Sequence, residues 1–303
     1  MKLYCFFALM VCWSFMLVGC ETTPMASNPY RPAIKMRSTG NEPRQVLRYH
    51  YSKGQFEKLI CKNHVDVEND LRGFPLIVLS PFTRETFLVK VMEVQPDGNM
   101  LIGFFIDKVD FIDHANPEAS KGADLLFEQF NGINGTYVMT PTGQIKEVTL
   151  VDSHGIDDDL AKALRDDIRQ MLKMMTCKFP SEPVGEGAQW SYQLPSDEDD
   201  EFPSIQNITV KIKEIYGDHV KMDVYTYQSL VGKQFHREGF KFELTQFIRH
   251  GRGEWKLNRS HLTPHLKINE RFLQRLQIRK GDQGTSMTTE GKVSTSIEPY
   301  GDI

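Results

Sequence analysis

The stretch that decides the fold is Val210-Lys211-Ile212-Lys213-Glu214-Ile215, the turn Tyr216-Gly217-Asp218-His219 and the run Val220–Tyr227. Apolar and charged side chains alternate on both sides of the turn. A period of two with one apolar face is typical of antiparallel strands that cover a core on one side. Gly-Asp between such runs supplies residues that tolerate a positive φ, as a hairpin turn requires. The stretch therefore predicts a β-hairpin.

The same pattern occurs earlier in the chain, where Val89–Val94 is followed by the turn Gln95–Asn99 and the run Met100–Asp107. Two shorter matches flank the copies in the same order: Gly54-Gln55-Phe56 with Ala188-Gln189-Trp190, and Gly135-Thr136-Tyr137 with Gly253-Glu254-Trp255. Four ordered matches indicate an internal repeat. We predict a mainly β (β-rich α+β) fold of two tandem, related antiparallel β-meander units with curved or partly closed sheets.

One helix is predicted between the two copies, at about residues 157–176. Three acids begin it, which suits a helix N-terminus, and its apolar residues form one stripe: Leu160, Leu164, Ile168, Met171 and Met175. Such a stripe is expected to cover a sheet face. With Met174, its methionines fill the core or form a soft ligand surface. The predicted divisions are a first β unit at 45–155, a helix and connector at 156–183, and a second β unit at 184–303.

The first residues indicate export. Lys2 precedes an almost wholly apolar run that ends at Leu17-Val18-Gly19-Cys20, and polar residues follow at once. This run is typical of a secretory signal peptide, predicted at 1–19, rather than of a membrane span. Residues 20–44 are polar and contain proline, so we predict a flexible tether.

Composition is that of a folded protein, with 40% hydrophobic and 25% charged residues and a net charge of −4. Removal of the signal with Lys2 leaves a net charge of about −5, which argues against nucleic acid as a partner.

After processing, three cysteines would remain: Cys20, Cys61 and Cys177. Cys20 would carry the lipid, which leaves Cys61 and Cys177. They form a disulfide, if the compartment is oxidising, or lie as two separate buried thiols.

No catalytic or metal-binding motif stands out, so we predict no catalytic residue, metal or cofactor. His261 and His265 have a helical ligand spacing, but Pro264 between them favours a strand or turn. Six aromatics would line a cavity or, more simply, fill the core: Phe104, Phe105, Trp190, Tyr225, Tyr227 and Trp255.

Leu17–Cys20 resembles the lipobox of bacterial lipoproteins. The resemblance implies cleavage by signal peptidase II before Cys20 and acylation of Cys20 with diacylglycerol and a further fatty acid such as palmitate. Leu47–Gln55, Gly135–Gly143 and Pro183–Trp190 are similar to a group of bacterial envelope lipoproteins with duplicated β-rich halves. Gly135-Thr136-Tyr137 with Pro141 also resembles, more weakly, periplasmic lipoprotein carriers of the half-barrel type.

These resemblances imply an envelope lipoprotein held by its lipid anchor on a membrane, with the outer membrane favoured because Glu21 follows Cys20. We predict a non-enzymatic binding or scaffold module whose partner is an envelope protein or an apolar ligand. The alternatives are a periplasmic-type carrier of an apolar ligand or lipid, and a hydrolase of envelope polymers.

Overall fold

The structure is a computed structural model that describes residues 34–71, 74–79, 81–113, 130–151, 168–169, 171–195, 204–230, 232–237 and 239–301. The predicted signal peptide, Cys20 and the first part of the predicted helix lie outside these residues.

The chain is mainly β, as predicted. Its fourteen strands are β1 (Lys35–Ser38), β2 (Phe56–Leu71), β3 (Phe74–Leu79), β4 (Pro81–Val94), β5 (Met100–Asp113), β6 (Asn134–Met139), β7 (Ile145–Val151), β8 (Gln189–Pro195), β9 (Ile205–Tyr216), β10 (His219–Leu230), β11 (Lys233–Arg237), β12 (Phe240–Asn258), β13 (His265–Lys280) and β14 (Gln283–Pro299).

All strands join one antiparallel sheet, in the order β1-β8-β9-β10-β12-β13-β14-β2-β4-β5-β6-β7, with β11 beside β12 and β3 beside β2. The second repeat therefore precedes the first across the sheet. The two repeats are joined where β14 pairs with β2, from Met287↔Leu71 to Pro299↔Leu59. They share one sheet, and the larger of two hydrophobic clusters spans both repeats; the smaller one contains Leu244, Phe247 and Leu276.

Strand register supports the internal repeat. Val89, Phe104 and Gly135 lie side by side on β4, β5 and β6. In the second copy Val210, Val224 and Gly253 occupy the same places on β9, β10 and β12. A Cβ at Gly135 would lie 2.2 Å from the carbonyl oxygen of Thr149, and one at Gly253 would lie 2.2 Å from that of Lys267. Both copies therefore need glycine at this position.

The upstream match is shifted by one residue from the sequence prediction. The N–H of Gly54 bonds to the carbonyl of Val91, as the N–H of Gly187 bonds to that of Ile212, at 2.8 and 3.0 Å. The two glycines have φ values of 85° and 81°. Gly54 thus corresponds to Gly187 and not to Ala188, because the positive φ of the turn sets the alignment.

One helical segment is described, at residues 168–169 and 171–175. Ile168, Met171, Leu172 and Met175 are buried in the core, and Met174 packs against it. The methionines therefore fill the core. No described helix is long or apolar enough to cross a membrane.

The predicted tether is too long at its carboxyl end. β1, inside residues 20–44, pairs with β8, and the N–H of Asn41 bonds to the carbonyl of Glu186 at 2.8 Å. A Cβ at Gly185 would lie 1.8 Å from the carbonyl oxygen of Asn41. This close backbone contact fixes residues 35–44 to the second repeat.

Candidate functional site: the polar sheet face

Two tyrosines of β10 point away from the core. Val224 and Thr226 are buried, whereas Tyr225 and Tyr227 are 38% and 49% exposed. The alternation of the strand places the two rings on the same outer face. They lie one pleat apart, so they form a pair of exposed aromatic groups in the second repeat.

Strand register places polar residues beside these tyrosines. In one row Tyr227 lies between Asn207 and His250, and His250 is followed by Arg271 and Lys292. In the next row Tyr225 is followed by Arg252 and Asn269. We call these eight exposed residues on β9, β10, β12, β13 and β14 the polar sheet face: Asn207, Tyr225, Tyr227, His250, Arg252, Asn269, Arg271 and Lys292.

The polar sheet face carries three permanent positive charges and no carboxylate. Arg252, Arg271 and Lys292 form no salt bridge with any residue in the described part of the chain. The guanidinium of Arg252 instead lies 5.5 Å from the centre of the Tyr225 ring. This cation–π contact orients the two side chains without neutralising the charge.

Three nearby carboxylates are already paired. Asp223 lies 3.0 Å from Lys213 and Asp66 3.4 Å from His64. Glu254 contacts Lys221 and Lys256 at 3.5 and 3.2 Å. The cations of the polar sheet face therefore keep their hydrogen-bond donors available for an external anion, although the whole chain is acidic.

The opposite side of the same strands holds a buried ion pair. Glu270, 6% exposed, accepts a hydrogen bond from Arg249 Nε at 2.9 Å and one from the Thr226 hydroxyl at 2.7 Å. Gly251 leaves room for it, because a Cβ there would lie 2.4 Å from Glu270 Cγ. This carboxylate is fully engaged inside the sheet.

A second interior carboxyl is Glu85, the cross-strand neighbour of Cys61 on β4 and β2. Burial raises the pKa of Glu85 to about 7. A shifted carboxyl is one mark of a functional site, but its strand neighbours are the Cys61 thiol and Val109. Neither of these two described neighbours is a partner group of the kind that acid–base chemistry needs.

Cys61 and Cys177 are both buried and both free. In the structure the two thiols are not joined to each other, which matches the alternative of two separate buried thiols. Cys61 lies between β14 and β4 in the sheet, whereas Cys177 Sγ lies 4.0 Å from Met222 Sδ. Burial raises the pKa of each thiol, and the charge of Glu85 adds to the effect at Cys61.

The six aromatics divide evenly. Phe104, Trp190 and Trp255 lie in the core, as the simpler prediction had it, but Phe105, Tyr225 and Tyr227 are exposed by 37% or more.

His261, one of the two histidines with a ligand spacing, lies 3.5 Å from Glu57. Among the described residues, no group of three or more His, Cys, Asp or Glu could hold a metal ion.

Sequence reasoning missed the cations of the polar sheet face. Alternation places Arg252, Arg271 and Lys292 on the outer faces of their own strands. Their alignment in rows depends on the pairing of β12, β13 and β14, which are 16 to 19 residues long. A register error of one residue would move each to the other face, so local pattern alone does not reveal the cluster.

No family model matches the chain, and no curated protein matches it. Among solved structures, a lipovitellin structure concerned with lipid–protein interactions is similar at 9% identity and a TM-score of 0.42. The match covers 82% of this chain but 25% of the lipovitellin chain. The outer membrane protein OprG from Pseudomonas aeruginosa matches at 7% identity and a TM-score of 0.21, over 84% of this chain and 98% of its own. At these scores neither likeness carries a functional argument.

Proposed function

We propose that this protein is a lipid-anchored bacterial envelope lipoprotein that works as a binding module, and that its polar sheet face binds an acidic polysaccharide. The observation that carries the proposal is the cluster of three unpaired cations, two exposed tyrosines and two asparagines on five adjacent strands. The carrier and hydrolase functions remain alternative predictions from the sequence.

The chemistry of the face suits an anionic polymer. Arginine presents planar donors that match carboxylate geometry, and the asparagine amides donate to and accept from hydroxyl groups. Adjacent strands lie about 4.8 Å apart, so the row from His250 to Lys292 presents donors over about 10 Å. A chain molecule with repeated acidic groups can contact several of these donors at once.

An acidic polysaccharide fits this face better than a protein does. Stable protein interfaces have an apolar, well-packed centre, whereas the polar sheet face has tyrosine rings as its only apolar surface. Sugar rings have apolar C–H faces that stack on exposed aromatic rings, and hydroxyl groups that hydrogen-bond with amides. The tyrosines and asparagines therefore supply contacts that a purely electrostatic surface lacks.

Calorimetric titration of the mature protein with polygalacturonate tests the binding. Dextran, which is uncharged, and poly-glutamate, which is acidic but not a sugar, are the comparison ligands. We expect the Arg271→Ala, Lys292→Ala double variant to bind polygalacturonate at least tenfold more weakly, a loss of about 1.4 kcal/mol. The matched control removes two exposed lysines of the first repeat, Lys90→Ala with Lys146→Ala, and should bind normally. Equal affinity for poly-glutamate, or equal loss in the control, would contradict the proposal.

The anchor rests on Leu17–Cys20 and is tested separately. Cells that express the Cys20→Ser variant should incorporate no labelled fatty acid into the protein and should release it from the membrane fraction. Undiminished labelling of that variant would contradict the anchoring and leave polysaccharide binding untouched.

A further inference from the structure

One end of the sheet carries a cluster of phenylalanines and basic residues. Phe235 and Phe242 stack with ring centres 4.6 Å apart, and Phe240 lies 6.3 Å from Phe242. The ammonium of Lys280 lies 4.6 Å from the centre of the Phe240 ring. All three rings are half-buried. We call this cluster, with the charged residues beside it on β11, β12 and β13, the aromatic tip.

The aromatic tip is positively charged. The cations of the tip whose side chains are described are Lys233, Lys241, Arg279 and Lys280, and none of them forms an ion pair with a residue that the structure describes. The acids whose side chains are described are Glu243 on β12 and Asp282 in the turn after β13. Four positive and two negative charges leave a net charge of +2, against −4 for the whole chain. Aromatic rings beside basic groups are typical of surfaces that contact a bilayer interface.

Strand direction places the tether at the same rim. β1 is antiparallel to β8, β8 to β9, β9 to β10, and β10 to β12. β1 and β12 therefore run in the same direction and begin at the same rim of the sheet. β12 begins at Phe240, within the aromatic tip. The chain thus enters β1 at Lys35 from the side on which the tip lies.

The length of the tether allows the tip to touch the membrane. Strand pairing aligns Lys35 with Arg252 through β8, β9 and β10. From Arg252 to Phe240 the strand extends about 40 Å, at about 3.3 Å per residue. The fifteen residues from Cys20 to Lys35 reach at most about 50 Å. An acylated Cys20 in the bilayer therefore leaves enough chain for the tip to reach the same surface.

We infer that the aromatic tip docks on an anionic phospholipid surface, so that the protein stands on its membrane with this rim down. The inference rests on the proposed lipid anchor for the position of the tether, and on the charge and aromatic content of the tip for the contact itself. Basic residues add attraction to anionic lipid near the surface, and the phenylalanines add apolar contact at the acyl boundary.

Tryptophan fluorescence of the acylated mature protein in vesicles tests the inference. The vesicles contain phosphatidylcholine and phosphatidylglycerol brominated close to the head group, and the Phe240→Trp variant places a reporter in the tip. Tyr216→Trp is the matched control, since Tyr216 lies at the opposite rim and is 84% exposed. The native Trp190 and Trp255 are buried and give a constant background. We expect the Phe240→Trp signal to fall at least twofold and the Tyr216→Trp signal to stay unchanged.

Two further variants keep the test decisive. Phe235→Trp gives a second reporter in the tip if Phe240→Trp loses its β-sheet circular dichroism. Lys241→Glu with Lys280→Glu should restore most of the quenched signal, and so should vesicles of phosphatidylcholine alone. Equal quenching at both rims, or none at the tip while the acylated protein stays on the vesicles, would overturn the docking and leave the anchor intact. Loss of fatty-acid labelling would instead overturn the anchor, whatever the quenching shows.

Discussion

The hydroxyl of Tyr49 accepts a hydrogen bond from the backbone N–H of Cys177 at 3.0 Å and lies 3.3 Å from the carbonyl oxygen of the same residue, to which it donates. Both residues are almost wholly buried. One side chain near the start of the first β unit thus satisfies both backbone groups of a residue in the connector between the repeats.

Removal of that hydroxyl should weaken the junction between the repeats. Tyr49→Phe leaves a buried N–H and a buried carbonyl without this partner, which costs about 1–3 kcal/mol of unfolding free energy. Urea denaturation followed by circular dichroism measures the loss. Tyr216→Phe, at an exposed tyrosine, should leave the midpoint unchanged. A Tyr49→Phe midpoint equal to wild type would mean that water replaces the hydroxyl.

The two thiols should be silent in the native protein. Burial raises the pKa of both Cys61 and Cys177, so neither forms the reactive thiolate at neutral pH. Titration of the mature protein, with Cys20 acylated as proposed, should give no fast reaction with a thiol reagent before denaturation. Two thiols per chain should react after denaturation without reductant. Fewer than two would mean that a disulfide forms in the cell.

The two equivalent glycines should respond alike to substitution. Gly135→Ala and Gly253→Ala each place a methyl group 2.2 Å from a carbonyl oxygen of the next strand, and each should cost about 2 kcal/mol or more. Gly284→Ala is the control, because the nearest atom to its Cβ lies 3.5 Å away. Thermal melts of the three variants compare them. If only one of the two substitutions lowers the melting temperature strongly, the backbone is not equally crowded at the two positions.

Stability should fall as the pH rises from about 4.5 towards 7. The pKa of Glu85 is raised to about 7 in the folded chain, so the folded state holds a proton that the unfolded state has lost, and folding is favoured at the acid end of this range. Above pH 7 the charged, buried carboxylate should cost about 3 kcal/mol. Glu85→Gln should remove this part of the pH dependence and stabilise the protein at neutral pH. Chemical denaturation at several pH values measures the free energy of unfolding. If the Glu85→Gln variant shows the same pH dependence as wild type, another group causes that dependence.

Local pattern predicted much of the fold. The alternation around Val210 and Val220 places β9 and β10 correctly, and the ordered matches reveal the repeat. The stripe of Ile168, Met171 and Met175 marks the helical segment that packs on the core. These features depend on residues close together in the chain, where the periods of side-chain placement are visible.

Features that depend on distant pairing were not predictable in this way. The contact of β1 with β8 is missed because β1 has only four residues, Lys35 to Ser38, which give too short a pattern. The even number of cysteines says nothing about geometry, and the sheet places Cys61 and Cys177 against different neighbours. The polar sheet face is assembled from strands whose mutual register the sequence does not state.

The joining of β14 to β2 has a consequence for the order of folding. This contact unites segments about 220 residues apart in the chain, and such distant pairings form slowly because a large loop must close first. Synthesis from the amino end produces β2 long before β14. The centre of the sheet can be completed only after nearly the whole polypeptide has been made, so until then β2 has an unpaired edge. A chaperone that shields this edge would shorten the interval in which the incomplete chain can aggregate.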